Sequence, residues 1–416
     1  MRTVVVGNRK LARHLLWHTL ESGWNVVGVL TPEGTLAAEQ ANYAPMEDLA
    51  EGTACSVHKT TDINREQTLD WLESVSPDIC ISGGWSQIID ERVLEVPNYA
   101  FLGFHSSRLP KGRGGAPVNW SLIHGNDEVW ISLFHYSPGV DAGDIIARGS
   151  VPLEKRDDVA TVFDALANEA CDVLSSVRED LESRDLNAKP QSLAEATYRP
   201  RRQPQDGLID WNRDPADQHD WVRAQTDPYP GAYTFCSGTK FTVLDGDPLD
   251  VKAPVDTTPG EVIKIVSGEG IDVRSGDGLF RVTRIRTDNR PQCWADRYAQ
   301  ETGLTPGDQL GREFAPDTWC YTGIRGPEDP TRFETNLEAG RSGQVDLVGF
   351  SGSSHDIVEK VWLDGDLIME KSVTIETSSL NRVEYAPEES GVHTLRVAFQ
   401  HDGERVDTRL LKVFVH

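Results

Sequence analysis

The sequence predicts an α/β fold with a doubly wound, mostly parallel sheet, followed by a small β-barrel and a C-terminal immunoglobulin-like β-sandwich. Three observations lead to this prediction. Over roughly the first 190 residues, short apolar segments alternate with helical patterns, which is typical of a parallel sheet covered by helices. A set of short strands separated by glycine turns comes next. From residue 316 onward, evenly spaced segments alternate apolar and polar residues, as in a β-sandwich.

The chain begins with a β-α-β pattern. An apolar strand is predicted over Arg2–Gly7, a helix over Asn8–Ser22 and a second strand over Asn25–Leu30. A helix over Thr68–Val75 and a buried strand over Asp78–Ser82 continue the alternation. A single glycine after the first strand is not a GxGxxG fingerprint, so the sequence gives poor support for a dinucleotide site.

The rest of the chain is organised around the segment from Leu102 to Asp144. The apolar run Tyr99–Phe104 predicts a buried strand that delivers His105 at its carboxyl end. A loop rich in Pro, Gly and Arg follows, then a strand over Trp130–Tyr136 and the acidic turn Ser137–Asp144. Ligand sites of open α/β sheets lie beyond the carboxyl ends of the strands. A histidine there, with an acidic turn returning to it, predicts a proton-transfer centre.

This segment resembles the active-site signature of the 10-formyltetrahydrofolate-dependent formyltransferases. The residues HSSRLPKGRGGAP (His105–Pro117) and GVDAGD (Gly139–Asp144) correspond to His-x-Ser-Leu-Leu-Pro-x-x-Arg-Gly-x-x-Pro and Gly-x-Asp-x-Gly. That family includes methionyl-tRNA formyltransferase, glycinamide ribonucleotide formyltransferase and the nucleotide-sugar N-formyltransferases. The resemblance implies a Rossmann-like catalytic domain, 10-formyltetrahydrofolate as co-substrate and no metal.

The resemblance also implies a set of site residues. It gives His105 and Asp141 catalytic roles, and it places the loop that begins at Gly83 beside the pterin of the folate. The implied folate-binding residues are Trp85, Ser86, Gln87, Ile88, Ser107, Arg108, Leu109, Pro110, Gly115, Ser137, Pro138, Gly139, Val140 and Asp141. For Trp85 the alternative is a place in the hydrophobic core. Arg108 stands where the family has an apolar residue, and Gly115 stands where some sugar formyltransferases have an arginine.

Formyl transfer to an amine requires stabilisation of an oxyanion and removal of a proton from the attacking nitrogen. Histidine suits either task. A carboxylate at Asp141 favours the imidazolium, which would let His105 donate a hydrogen bond to the oxyanion. The alternatives are structural: His105 as a hydrogen-bonded histidine at a strand end, and Asp141 as an acidic turn residue present for conformational reasons.

One position departs from the family pattern. The family's catalytic asparagine, two residues before the histidine, is Gly103 here. Glycine has no side-chain amide, so one oxyanion donor is missing, and such a donor is typically worth about 10²–10³ in rate. A backbone N–H, a water, Asn119 or Ser106 are candidate replacements. The departure also fits a slow enzyme, a formyltetrahydrofolate hydrolase or a catalytically silent binding protein.

The sequence as a whole predicts three domains, over residues 1–190, 198–311 and 316–416. A helix predicted over Val159–Leu181 packs back on the first sheet. The block Tyr198–Gly311 resembles the C-terminal domain of methionyl-tRNA and sugar formyltransferases, which implies a small OB-like barrel. The last domain carries six predicted strands and no evident chemistry. They are Gln344–Phe350, Ile357–Leu363, Leu367–Ile375, Asn381–Tyr385, His393–Phe399 and Val406–Val415.

Composition limits the partners. The net charge is −25, which predicts a strongly solvated acidic surface, as in halophilic proteins, and disfavours tRNA at ordinary salt without excluding it. The six cysteines form no CxxC pair, so neither a metal site nor a disulfide framework is indicated. No signal peptide and no apolar run long enough for a membrane are evident, which predicts a cytoplasmic protein. The sequence leaves a homodimer open.

We therefore expect an enzyme that transfers a formyl group from 10-formyltetrahydrofolate to a primary amine. The acidic charge and the sequence around His105 favour the amino group of a nucleotide-linked amino sugar as acceptor. Methionyl-tRNA is the alternative acceptor, because the two-domain layout fits both. A hydrolase and a non-catalytic folate-binding or sugar-binding protein are the alternatives in other functional classes.

Overall fold

A computed structural model describes residues 1–34, 41–199, 201–237, 239–287, 290–311, 318–323, 331–337, 343–350, 355–364, 366–375, 378–385, 391–400 and 410–415. The chain forms two compact units. One comprises Met1–Ser121 and Asn126–Thr197, and the other comprises Leu122–Gly125 and Tyr198–His416.

The first unit is a mixed α/β layer structure. Its sheet has seven strands, and their order across the sheet is β3-β2-β1-β4-β5-β7-β8. The first five strands in this order are parallel to one another. β7 pairs antiparallel with β5, and β8 pairs antiparallel with β7. The strands are β1 Arg2–Val6, β2 Asn25–Pro32, β3 Ser56–Thr60, β4 Ile79–Ser82, β5 Ala100–His105, β7 Glu128–His135 and β8 Ile145–Pro152, with the short β6 Arg113–Gly114 outside the sheet. The helices are α1 Lys10–Glu21, α2 Glu47–Ala50, α3 Glu66–Val75, α4 Glu91–Leu94, α5 Pro117–Ile123, α6 Val159–Ser176 and α7 Arg178–Ser183.

Alternate residues of β1 show why helices cover both faces of this sheet. Val4 and Val6 are fully buried in one apolar cluster with residues of α3 and α4. Val5 is fully buried in a different cluster, with residues of α1. Successive strand side chains point to opposite faces, so an uninterrupted run of valines needs an apolar layer on each side. The predicted α/β fold with a largely parallel sheet is confirmed.

One predicted helix is wrong in its extent. The pattern over Val159–Leu181 predicts a single helix, but the chain breaks at Val177, where φ is −107° and ψ is 8°. The break lets the guanidinium of Arg178 donate to the carbonyl of Ser22 at 2.8 Å, while Leu181 is fully buried. The spacing of apolar residues does not predict this break, because buried apolar residues continue from the first helix into the second.

The turn after β4 approaches α1 closely. A Cβ added at Gly83 would lie 2.4 Å from the Cα of Ala12 and 2.5 Å from its backbone nitrogen. We expect Gly83→Ala to destabilise the protein by about 1–3 kcal/mol, because backbone atoms must shift to admit a methyl group. Chemical denaturation measures this loss, with the exposed Glu51→Ala as control. An unchanged free energy of unfolding for Gly83→Ala would contradict the packing described.

The second unit is rich in antiparallel strands. Six strands form one sheet in the order β10-β11-β14-β13-β12, with β15 also paired to β14. The elements are β9 Tyr198–Arg199, β10 Ala232–Cys236, β11 Thr239–Lys252, β12 Val262–Val266, β13 Gly270–Ser275, β14 Gly278–Thr287, β15 Arg290–Trp294, α8 Pro215–Arg223 and α9 Ala295–Thr302. Buried Phe241, Val243 and Phe280 come from neighbouring strands β11 and β14, so the glycine-separated strands share one core.

The last hundred residues contribute two four-stranded antiparallel sheets, ordered β16-β23-β18-β21 and β17-β22-β19-β20. Their strands are β16 Thr318–Gly323, β17 Thr331–Leu337, β18 Gly343–Phe350, β19 His355–Leu363, β20 Asp366–Ile375, β21 Ser378–Tyr385, β22 Gly391–Gln400 and β23 Leu410–Val415. Each of the six predicted strands overlaps one of β18 to β23, although residues 406–409 of the last prediction lie outside the described residues. The alternation does not predict β16 and β17. Within the described part of the chain, no helix has the length and apolar character needed to cross a bilayer.

Candidate active site

His105 is the last residue of β5, and each of its two ring nitrogens faces a polar group of the protein. The side chain is 9% exposed, and Nε2 lies 2.8 Å from the carbonyl oxygen of Gly112. A carbonyl can only accept a hydrogen bond, so Nε2 carries a proton. Nδ1 lies 3.5 Å from Oδ2 of Asp141. The second nitrogen of the imidazole therefore faces a carboxylate, and a proton on it would be shared with that carboxylate.

The turn that carries Asp141 folds back over β5. Asp141 has φ of +50°, a left-handed conformation that aspartate tolerates better than most side chains. Its Oδ2 accepts a hydrogen bond from the backbone N–H of Gly114 at 2.8 Å. The carboxylate of Asp141 is therefore positioned by both Gly114 and His105. These contacts bring the segment His105–Pro117 next to the segment Gly139–Asp144.

Gln191 holds this turn in place and is a residue that the sequence prediction missed. Its Nε2 donates to the carbonyls of Asp141 at 2.8 Å and Gly143 at 2.6 Å. Its Oε1 accepts from the guanidinium of Arg113, which is almost fully buried. Arg113 thus braces the loop. A lone glutamine in a polar connector gives no sequence signal, because its partners are brought near only by the fold.

We expect Gln191→Glu to lower the free energy of unfolding by about 1–3 kcal/mol, since a carboxylate cannot donate to the carbonyls of Asp141 and Gly143. Turnover should fall with it, because the turn that carries Asp141 loses its support. Urea unfolding and steady-state kinetics measure the two effects. The exposed Gln67→Glu is the matched control, and equal behaviour of the two variants would contradict the bracing role.

The predicted folate loop after β4 divides into buried and exposed side chains. Trp85 is half-buried and packs against the apolar cluster beneath α3 and α4. Gln87 is used within the fold, since Nε2 donates to the carbonyl of Thr61 and Oε1 accepts from the N–H of Ile63. Ser86 is exposed and Ile88 is 77% exposed. Ser86 and Ile88 are thus the members of this loop with the most accessible side chains.

The predicted folate-binding residues that follow His105 use their side chains mainly for contacts within the protein. Ser107 donates to the carbonyl of Lys111 at 2.8 Å, and the guanidinium of Arg108 lies 4.4 Å from the ring centre of Trp130. Leu109 is fully buried in a cluster with Phe134 and Ile145, so its side chain is not accessible to a ligand in this conformation. Its apolar character serves the core here. Pro110 and Gly115 are half-buried.

The turn between β7 and β8 is the most open of the predicted segments. Pro138, Gly139 and Val140 are exposed, and Ser137 and Asp141 are half-buried. The N–H of Gly139 bonds to the carbonyl of Ser137 at 2.7 Å, which makes the turn tight. An exposed apolar side chain at Val140 and another at Ile88 offer surface that a flat heterocycle can cover.

Tyr136 occupies the space beside Gly103. A Cβ added at Gly103 would lie 2.0 Å from Cε2 of the tyrosine and 2.6 Å from Cδ2. The ring packs edge-on to Phe101, and its hydroxyl donates to Oγ of Ser82 at 3.4 Å. Burial raises the pKa of Tyr136 to about 12. Ser82, which accepts this hydrogen bond from Tyr136, is the last residue of β4 and is paired with Gly103 in the sheet.

In the part of the chain described above, no group of three or more histidine, cysteine, aspartate or glutamate side chains is arranged to hold a metal ion. The groups that the structure brings together are His105, Asp141 and the backbone N–H of Gly114.

Comparison with known proteins gives two family models. One, described as formyl transferase, matches residues 1–177, and the other, described as formyl transferase, C-terminal domain, matches residues 201–302. Methionyl-tRNA formyltransferase of Geotalea uraniireducens is 27% identical over 321 residues, covering 75% of this chain and 99% of that protein. The enzyme of the same name from Caldanaerobacter subterraneus subsp. tengcongensis is 29% identical over 301 residues, covering 72% and 96%.

Solved structures share the fold. HypX from Aquifex aeolicus in complex with tetrahydrofolic acid has a TM-score of 0.52 at 19% identity, covering 78% of this chain. This chain spans about half of HypX, 52% of its length. WlaRD, a sugar 3N-formyl transferase, has a TM-score of 0.51 at 13% identity, covering 70% of this chain and 99% of that one.

Proposed function

The chain belongs to the formyl transferase family, whose members use 10-formyltetrahydrofolate as co-substrate, and we propose that it transfers the formyl group to the amine of a nucleotide-linked amino sugar. The observation that carries the proposal is the pairing of His105 and Asp141 at the carboxyl end of β5, at 3.5 Å. The pair lies where α/β sheets bind ligands, and it supplies a proton donor and a proton acceptor.

The reaction balances with these two groups. The lone pair of the acceptor nitrogen forms the new bond to the formyl carbon, and the carbonyl π electrons move to the formyl oxygen. The carbonyl re-forms as the bond from carbon to N10 breaks, and the proton that the acceptor nitrogen loses ends on N10. Asp141 accepts the proton from the acceptor nitrogen, and the imidazole of His105, 3.5 Å from Asp141, passes a proton on to N10.

The residues present fit a folate donor. The loop after β4 exposes Ile88, and the turn after β7 exposes Val140, so two apolar side chains can cover a flat ring. Gly84 has φ of +98°, and the absence of a side chain there lets a ligand approach the backbone. We propose that these two loops hold the donor, together with Ser86 and the backbone of Ser107–Pro110.

The choice of acceptor depends on charge. A net charge of −25 opposes a polyanionic tRNA more strongly than a small nucleotide sugar, because tRNA contacts rely on many Lys and Arg side chains. Methionyl-tRNA is the second candidate, and the observation that favours it is the near-complete coverage of methionyl-tRNA formyltransferases by this chain. A hydrolase and a silent binding protein are further outcomes that the same experiment separates.

We also propose the finer architecture of the second unit. The six-stranded sheet forms a small OB-like barrel over about residues 198–311, and the two four-stranded sheets form an immunoglobulin-like sandwich over about residues 316–416. The catalytic domain then covers about residues 1–190. The division is supported by the sheets, since the strands between Ala232 and Trp294 form one sheet and those between Thr318 and Val415 form two others.

An acceptor panel tests the proposal. Release of tetrahydrofolate from 10-formyltetrahydrofolate is followed at high salt with nucleotide-linked amino sugars, charged initiator tRNA or no acceptor. We expect release that depends on an amino-sugar nucleotide. Dependence on tRNA would favour the second acceptor, release without acceptor would indicate a hydrolase, and no release from folded protein that binds folate would leave only a binding function.

A further inference from the structure

The ring of Tyr136 occupies the space that a side chain at residue 103 would fill. Strand alternation puts Gly103 on the same face of β5 as His105, and the tyrosine ring covers that face from the turn after β7. The phenol reaches across β5 to Ser82 at the end of β4. Its hydroxyl therefore lies at the same carboxyl edge of the sheet at which His105 ends β5.

The hydroxyl of Tyr136 makes a long hydrogen bond and is influenced by two charges of opposite sign. Its bond to Oγ of Ser82 is 3.4 Å, whereas O–H···O bonds in proteins are typically about 2.7–2.8 Å. The charged groups that act on the phenol are Asp141 and Arg9, of opposite sign. The hydroxyl of Tyr136 can thus turn its hydrogen bond to a better acceptor that enters the site, without giving up a strong bond to Ser82.

We propose that the Tyr136 hydroxyl donates a hydrogen bond to the formyl oxygen as the bond from the acceptor nitrogen to the formyl carbon forms, the role for which Gly103 has no side chain. The inference rests on the proposed formyl transfer. The tyrosine gains and loses no proton in this step. It stabilises negative charge on oxygen while the proton of the acceptor nitrogen passes to N10 by way of Asp141 and His105.

Two properties of the site suit this role. Burial raises the pKa of Tyr136 to about 12, so the hydroxyl keeps its proton throughout the neutral range. The close contact also makes the arrangement exclusive, because a Cβ at residue 103 would lie 2.0 Å from the ring. An asparagine at 103 and a tyrosine at 136 cannot occupy this space together, which accounts for the glycine.

Tyr136→Phe tests the proposal, since it keeps the ring that packs on Gly103 and removes only the hydroxyl. We expect kcat for formyl transfer to fall by about 10²–10³, the usual effect of losing one oxyanion donor, with KM for the folate changed less than about threefold. Tyr43→Phe, at an exposed tyrosine, is the control and should keep wild-type kcat. A Tyr136→Phe enzyme with wild-type kcat would overturn the proposal.

A second variant pair separates the hydroxyl from simple packing. Gly103→Asn should lower activity and stability because of the clash, and Tyr136→Ala should lower kcat. The double variant Gly103→Asn, Tyr136→Ala removes the clash and supplies an amide, so we expect at least tenfold more activity than in Tyr136→Ala. No recovery in a folded double variant would refute the shared position. An inactive wild type would refute the formyl transfer itself, which distinguishes the two failures.

Discussion

Replacing His105 by glutamine is expected to lower kcat by about 10²–10⁴, the range for loss of a positioned acid–base group. Glutamine keeps a donor that can reach the carbonyl of Gly112, 2.8 Å from the imidazole, but it cannot carry a proton to or from the reaction. Binding of the folate donor should change little, because the side chains proposed to cover its ring, Ile88 and Val140, lie in the loops after β4 and β7. The effect should therefore appear in kcat and only weakly in KM.

The measurement is steady-state release of tetrahydrofolate with the acceptor identified by the panel. His58→Gln is the matched control, since His58 lies on β3 and stacks on Trp71, with ring centres 5.0 Å apart. It should keep wild-type kcat. Full activity in a folded His105→Gln variant would contradict a proton-transfer role and leave His105 as a hydrogen-bonded strand-end residue.

Asp141→Asn is expected to lower kcat by about 10²–10³. The change is conservative for the backbone, because asparagine also tolerates the φ of +50° found there. Its amide oxygen can still accept from the N–H of Gly114. What is lost is the negative charge 3.5 Å from Nδ1 of His105 and the acceptor for the proton of the amine.

A double-mutant cycle makes this prediction sharper. If Asp141 acts through His105, the double variant His105→Gln, Asp141→Asn should be little worse than His105→Gln alone, because groups that act as a unit are not additive. Rates from the four proteins, measured at one pH with saturating donor, give the coupling. Additive losses would show that the two side chains serve separate steps.

The sequence predicts the framework of the site well. Uninterrupted apolar runs at β1, β4 and β5 indicate a buried parallel sheet. The strand predicted over Tyr99–Phe104 is observed as β5, which ends one residue later, at His105. The motif residues His105 and Asp141 are close in space although 36 positions separate their numbers. The place of His105 follows from the local apolar pattern, whereas its pairing with Asp141 follows from the resemblance to the formyltransferase signature.

What the sequence does not predict arises from contacts between distant segments. The meeting of Tyr136 with Gly103 depends on how far the turn after β7 folds back over β5, and no periodicity encodes that. Leu109 looks like a ligand contact from its place in the motif, but the fold buries it with Phe134. Gln191 has no local pattern at all, because both of its carbonyl partners come from another loop.

The most direct test of the proposed formyl transfer to an amine is to measure where the formyl carbon of the donor goes. Wild-type protein is given 10-formyltetrahydrofolate labelled with carbon-13 at the formyl group, together with the acceptor panel, and NMR follows the label. Our account predicts that the label moves to an N-formyl product of the amine acceptor, and that this transfer is about 10²–10⁴ slower in His105→Gln. Label that stays on the donor, or that appears only as formate, would contradict it.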